Sequence, residues 1–257
     1  MDNHNNEAHS EIHEYPIDYE KFPLAKDCKE YTYEVNSGEY IVIPYGWHHW
    51  VFTEANTVAI SYTIKSINFI DDTNELYKNL INNNPYVGKI ENRYNIKYDT
   101  FLNKTLDIAC RCVFSQTYHC CPVYKNYNYT TFDYYGKLNN IIDISNRNRL
   151  FAYVGMGNID ENNILYDYND INNFILEPIF DNIDYRTFMW FTLNNRVDSG
   201  LHYDTTSNIL YVLDGKKTVR LFHPDCREKL YIKSYEYLNI HKEETTPNTQ
   251  ESSSESN

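Results

Sequence analysis

Leu201-His202-Tyr203-Asp204 sets an imidazole and a carboxylate two residues apart. Side chains on a strand alternate with period two, so His202 and Asp204 would share one face. Two such groups and a second histidine make the 2-His-1-carboxylate set of non-haem Fe(II) oxygenases, which leaves positions open for substrate and oxygen. The candidate second histidine lies about 150 residues upstream, in the run from Ser37 to Val51. There a turn at Asn36-Ser37-Gly38 feeds an apolar strand, Pro44-Tyr45-Gly46 reverses the chain, and a second strand opens with Trp47-His48-His49. Neighbouring residues on a strand point to opposite faces, so only one of His48 and His49 can face a barrel interior.

The 37–51 run resembles the distal-histidine segment of the Jumonji C and related cupin-like hydroxylases, whose pattern is Gly-Asp, an apolar strand and Pro-x-Gly-Trp-x-His-x-Val. On that pattern His49 falls at the metal ligand and His48 at a variable position, while Glu39 replaces the usual Asp. Residues 187–224 resemble the proximal half of the same family through Trp190, His202, Asp204, Asn208, Gly215, Lys217 and Pro224. The resemblance implies Fe(II) held by His202, Asp204 and His49. It also implies 2-oxoglutarate bound with its distal carboxylate on Lys217, with Ser199, Tyr153 and Asn208 completing the cosubstrate site. The implied fold is a double-stranded β-helix, cupin- or jelly-roll-like, mainly β with helical insertions. The two halves stand in reverse order, because the family's closing segment opens this chain. Three accounts stay open. One is a circular permutation cut after the Gly-x-Lys hairpin, with the old ends joined through residues 66–130. The others are a swapped N-terminal segment completing a neighbouring subunit, and two separate cupin units.

The elements that must position these groups are chiefly strands. Tyr31–Val35, Glu39–Pro44, Trp47–Thr53, Thr57–Lys65, Leu106–Val113, Arg149–Val154 and Thr187–Leu193 carry β-rich or alternating patterns. Asp214-Gly215 between two such runs predicts a two-residue hairpin over 208–222. Helices are expected at Asp72–Asn83, with Leu76, Leu80 and Ile81 on one face, and over Asn169–Ile183, interrupted at Pro178. The tyrosine-rich stretch 124–135 reads as a loop and helix start. Residues 1–14 and the Ser/Glu-rich 242–257 read as disordered tails flanking one domain over 15–241.

The net charge is −13. The tails carry −4 and −3 of it, leaving a mildly acidic body that speaks against direct nucleic-acid binding. No apolar run reaches membrane-spanning length. The polar, acidic first fifteen residues contain no secretory leader pattern. The six cysteines at 28, 110, 112, 120, 121 and 226 are therefore expected to stay reduced in a cytoplasmic or nuclear compartment. Cys110-Arg-Cys112 with His119-Cys120-Cys121 fits no common structural zinc spacing, and buried thiols on strands account for it better.

The expected function is an Fe(II)- and 2-oxoglutarate-dependent dioxygenase acting, by the resemblance, as a hydroxylase of a protein or peptide side chain, with demethylation of methyl-lysine the weaker variant. A homodimer is compatible with this reading. The rival is a non-catalytic cupin-like scaffold or binding module, and a third reading is a cupin that uses another metal for other chemistry.

Overall fold

The computed structural model describes residues 8–67, 78–79, 82–89, 97–120, 131–157 and 183–232. Thirteen strands among them form two antiparallel sheets: β1 (Ala8–His9), β2 (Glu30–Asn36), β3 (Glu39–Ile43), β4 (His48–Thr53), β5 (Val58–Ile67), β6 (Tyr86–Lys89), β7 (Ala109–Ser115), β8 (Thr131–Lys137), β9 (Phe151–Gly157), β10 (Ile183–Thr192), β11 (Val197–Tyr203), β12 (Ser207–Asp214) and β13 (Lys216–Phe222). The smaller sheet runs β1-β11-β4-β13-β2 and the larger β6-β3-β12-β5-β10-β9-β7-β8. Helices α1 (Tyr98–Thr105) and α2 (Leu138–Asn148) complete the regular elements.

The layers follow from alternation along the strands. Inward-facing Val35, Ile41, Val51, Ala59, Val212 and Leu221 pack between the sheets. Their neighbours Val58, Ile60 and Tyr62 on β5 turn to the other face of the larger sheet, where Phe101 of α1 and Leu138 and Ile141 of α2 cover them. On the outer face of the smaller sheet, Trp50, Phe52, Leu201 and Phe222 are covered by Ile12, Ile17, Phe22 and Leu230. Both sheets are thus apolar on two faces, which is why their strands carry near-continuous apolar runs.

The two sheets pack as a cupin-like, jelly-roll sandwich in which the His49 strand precedes the His202 strand along the chain. Phe222 at the end of β13 sits opposite Glu30 at the start of β2, so a short turn between them would make an ordinary hairpin. At the other side Ile67 of β5 sits opposite Ile183 of β10, and the intervening chain carries β6 to β9 and both helices. The mainly β, cupin-like architecture is as the resemblance implied, with His49 and His202 brought together within one chain.

Several local expectations change. The 208–222 segment is not a paired hairpin: β12 belongs to the larger sheet and β13 to the smaller, and the chain crosses between them at Gly215. Gly215 has φ of +90°, and a Cβ there would lie 2.3 Å from the Thr57 hydroxyl. A tight reversal tolerates this conformation only in glycine. The segment from Ala8 to Glu14 is ordered in place of a tail: β1 pairs with β11 and Ile12 is buried. The strand expected from Leu106 begins at Ala109, after α1, and the tyrosine-rich stretch turns into β8 from Thr131. The helix expected over Asn169–Ile183 and the 242–257 tail lie outside the described residues, as does most of the one over Asp72–Asn83. Among the described residues no helix is long and apolar enough to cross a membrane.

Candidate metal centre

The smaller sheet sets three histidines side by side. His9 of β1, His202 of β11 and His49 of β4 are register partners across three adjacent strands, so all three share the inner face. The His49 and His202 rings lie 4.1 Å apart. His9 stacks on the other side of His202 at 5.2 Å. His48 takes the opposite face and packs edge-on against Tyr203. Burial lowers its pKa to about 4.

Each of the two central histidines is oriented by its own strand. His49 Nδ1 lies 3.1 Å from the Trp47 carbonyl and His202 Nδ1 lies 2.9 Å from the Gly200 carbonyl. A carbonyl can only accept, so both Nδ1 atoms carry a proton, and in the neutral ring Nε2 is the nitrogen left with a lone pair. Asp204 follows directly after β11 and brings a carboxylate oxygen to 3.5 Å from His49 Nε2. Ligand atoms of His49, His202 and Asp204 all lie within 4.8 Å of one another. Asn208 fixes the carboxylate: its amide donates to Asp204, while its own oxygen accepts from the Thr63 hydroxyl at 2.8 Å. The 44–46 turn is tied to the same place by the Gly46 N–H, 3.3 Å from the Asp204 carbonyl. Two neutral imidazoles and one carboxylate are a donor set suited to Fe(II), and hydrogen bonds behind the ligands fix their orientation.

Further along the same inner face stands a buried amine. Lys217 of β13 is opposite Thr53 of β4 and has no solvent exposure. Its amine donates to the Thr53 hydroxyl at 2.9 Å and to the Tyr153 hydroxyl at 3.4 Å. Among the described residues no carboxylate pairs with it. Burial alone lowers its pKa from a lysine's ordinary 10.5 to about 7. Tyr153 in turn stacks on Trp190 at 5.4 Å, and the Trp190 indole donates to Ser61 at 2.9 Å. Lys216 takes the opposite direction and pairs with Glu34 at 2.6 Å. A buried ammonium without a counter-charge is costly, so the arrangement fits an anionic ligand that supplies one.

Of the residues singled out from sequence, His49, His202, Asp204 and Asn208 meet at one point, and Lys217 meets Tyr153. Ser199 is turned to other work: its hydroxyl accepts from the Val51 N–H at 3.3 Å, filling a gap where β11 bulges away from β4. Three contributors had gone unremarked, and His119 stood out only beside its cysteine neighbours. Thr53 shares the inner face with His49 by even spacing along β4. Thr63 was legible only as a strand residue. His119 and Asp198 form a buried pair at 2.7 Å. Cys110 and Cys112 are buried on β7, where desolvation raises both thiol pKa values, that of Cys110 to about 12.

The family model described as a cupin-like domain matches residues 1–64 and 114–255. The chain belongs to the cupin-like domain family. Over 230 residues it is 24% identical to L887 of Acanthamoeba polyphaga mimivirus, a protein named for a JmjC domain. That match covers 80% of this chain and 36% of the viral protein, so the chain spans well under half the length of this relative. No solved structure gives a significant match.

Proposed function

We propose that this cupin-like domain is an Fe(II)- and 2-oxoglutarate-dependent oxygenase that hydroxylates a protein or peptide side chain. The observation that carries the reading is Lys217, a fully buried amine with no carboxylate partner among the described residues, on the inner face that also bears His49, His202 and Asp204. A metal centre alone gives no reason for such a cation, whereas a dicarboxylate with one end at the metal gives one.

In this reading His49 Nε2, His202 Nε2 and the Asp204 carboxylate hold Fe(II), and Asn208 keeps the carboxylate aimed. Lys217, Thr53 and Tyr153 receive the distal carboxylate of 2-oxoglutarate through charge-assisted hydrogen bonds. Trp190, stacked on Tyr153, backs that phenol. Bound Fe(II) with 2-oxoglutarate would supply oxidative decarboxylation of the cosubstrate coupled to insertion of one oxygen atom into a substrate C–H bond. The residues bind, orient and exclude water, and the cofactor carries the redox chemistry. The protein-side-chain substrate rests on family likeness and the acidic body; cytoplasmic or nuclear residence and a homodimer remain part of the same proposal.

Anaerobic Fe(II) titration with and without 2-oxoglutarate tests it. A weak visible charge-transfer band that needs both components, and is lost in Lys217→Ala while Fe(II) binding persists, is the expected result. Folded protein that binds Fe(II) but gives no band would favour a non-catalytic scaffold.

A further inference from the structure

A buried His119–Asp198 pair lies at the bulge beside His202. Pairing of β11 with β4 slips between Asp198 and Leu201, because three steps along β11 match two along β4. Gly200, within the slip, has φ of +78°. A contiguous run of hydrogen bonds crosses it. His119 Nδ1 lies 2.7 Å from one Asp198 oxygen, the other Asp198 oxygen accepts from the Gly200 N–H at 2.9 Å, and the Gly200 carbonyl holds His202 Nδ1 at 2.9 Å. The Asp198 backbone is fixed as well: its N–H donates to the Tyr118 carbonyl at 2.8 Å and its carbonyl accepts from the Cys120 N–H at 3.2 Å.

Asp198 has no solvent exposure and His119 is 4% exposed. A buried ionisable pair of this kind is seldom a net gain in stability over apolar residues of the same shape, so its presence asks for another reason. We propose that His119 and Asp198 are positioning residues for the metal centre. Asp198 holds the Gly200 peptide in one orientation, and that peptide's carbonyl fixes the proton of His202 on Nδ1, leaving Nε2 for the metal. His119 holds the Asp198 carboxylate. Neither touches metal, cosubstrate or substrate. The inference rests on the metal-centre reading and extends it to the layer of residues behind the ligands, where single substitutions commonly weaken metal binding about 10- to 100-fold.

The test compares three variants by anaerobic Fe(II) or Co(II) affinity, the oxoglutarate-dependent band and unfolding of the metal-free protein. Asp198→Asn keeps an acceptor for the Gly200 N–H and offers an amide donor to His119, so it should bind metal close to wild type. Asp198→Ala, and the apolar double variant Asp198→Val with His119→Leu, remove the acceptor. Each should bind metal about 10- to 100-fold more weakly and show an altered band. The double variant should match wild type in metal-free stability. Wild-type metal affinity in the folded double variant would overturn the proposal. So would failure of the double variant to fold while Asp198→Asn folds, which would assign the pair to the fold alone. A wild-type protein that binds no metal would refute the metal-centre reading itself.

Discussion

Replacing Lys217 by Met should stabilise the metal-free protein in mild acid while abolishing cosubstrate binding. In the unfolded chain the amine titrates near a lysine's ordinary 10.5, and in the fold near 7, lowered by burial. The unfolded state therefore binds the proton more tightly. The resulting penalty on the fold is fully present below pH 7 and fades as pH rises toward 10.5. At 1.36 kcal/mol per pH unit the penalty is about 5 kcal/mol at pH 6 and about 2 kcal/mol at pH 9. Methionine keeps much of the side-chain volume but leaves the Thr53 and Tyr153 hydroxyls without this donor, a loss of about 1–2 kcal/mol. Lys217→Met should thus be about 3 kcal/mol more stable than wild type at pH 6 and near parity at pH 9. Urea unfolding of both metal-free proteins at the two pH values measures it, since the midpoint shift reads stability directly when the slope is unchanged. A variant that is less stable than wild type by the same amount at both pH values would refute the reasoning. It would mean that the amine is not an unpaired buried charge.

The other expectations concern the ligands, their support and the crossing between sheets. His49→Ala, His202→Ala and Asp204→Ala should each abolish stoichiometric Fe(II) binding with little loss of helix or strand signal, checked by equilibrium dialysis and circular dichroism. Asn208→Ala should leave the metal bound about 10-fold more weakly, because Asp204 loses the amide that aims it. Gly215→Ala should destabilise the protein by at least about 1 kcal/mol in thermal unfolding, since its positive φ and the nearby Thr57 both oppose a Cβ. Binding of 2-oxoglutarate above pH 7 should take up close to one proton as Lys217 recharges. Calorimetry in buffers of different ionisation enthalpy reads this directly, and no uptake at pH 8 would contradict it.

How much was legible in the sequence depended on how local each signal was. Strand alternation puts His202 and Asp204 on one face and His48 and His49 on opposite faces, and the family resemblance picked out His49, which the fold brings beside His202 and Asp204. The reversed order of the halves was legible too, because each half carries its own motif. The Asp214-Gly215 turn shows the limit. Its residues specify a tight reversal but not which sheet receives the second arm, and β13 pairs with β2 and β4 in place of β12. The same limit hid Thr53 and Thr63, which matter only because distant strands bring them to Lys217 and Asn208. His119 and Asp198 stand 79 positions apart, and no spacing rule joins them. The N-terminal segment was misread because three histidines among acidic residues look solvated, whereas β1 finds the free edge of β11 and buries His9 beside His202.

A crystal of the protein grown without oxygen, with Mn(II) in place of Fe(II) and with 2-oxoglutarate, would test the shared metal centre most directly. One anomalous peak per chain is expected, within bonding distance of His49 Nε2, His202 Nε2 and the Asp204 carboxylate of that same chain, with a carboxylate on Lys217. A peak elsewhere, or one that lacks His49, would contradict it.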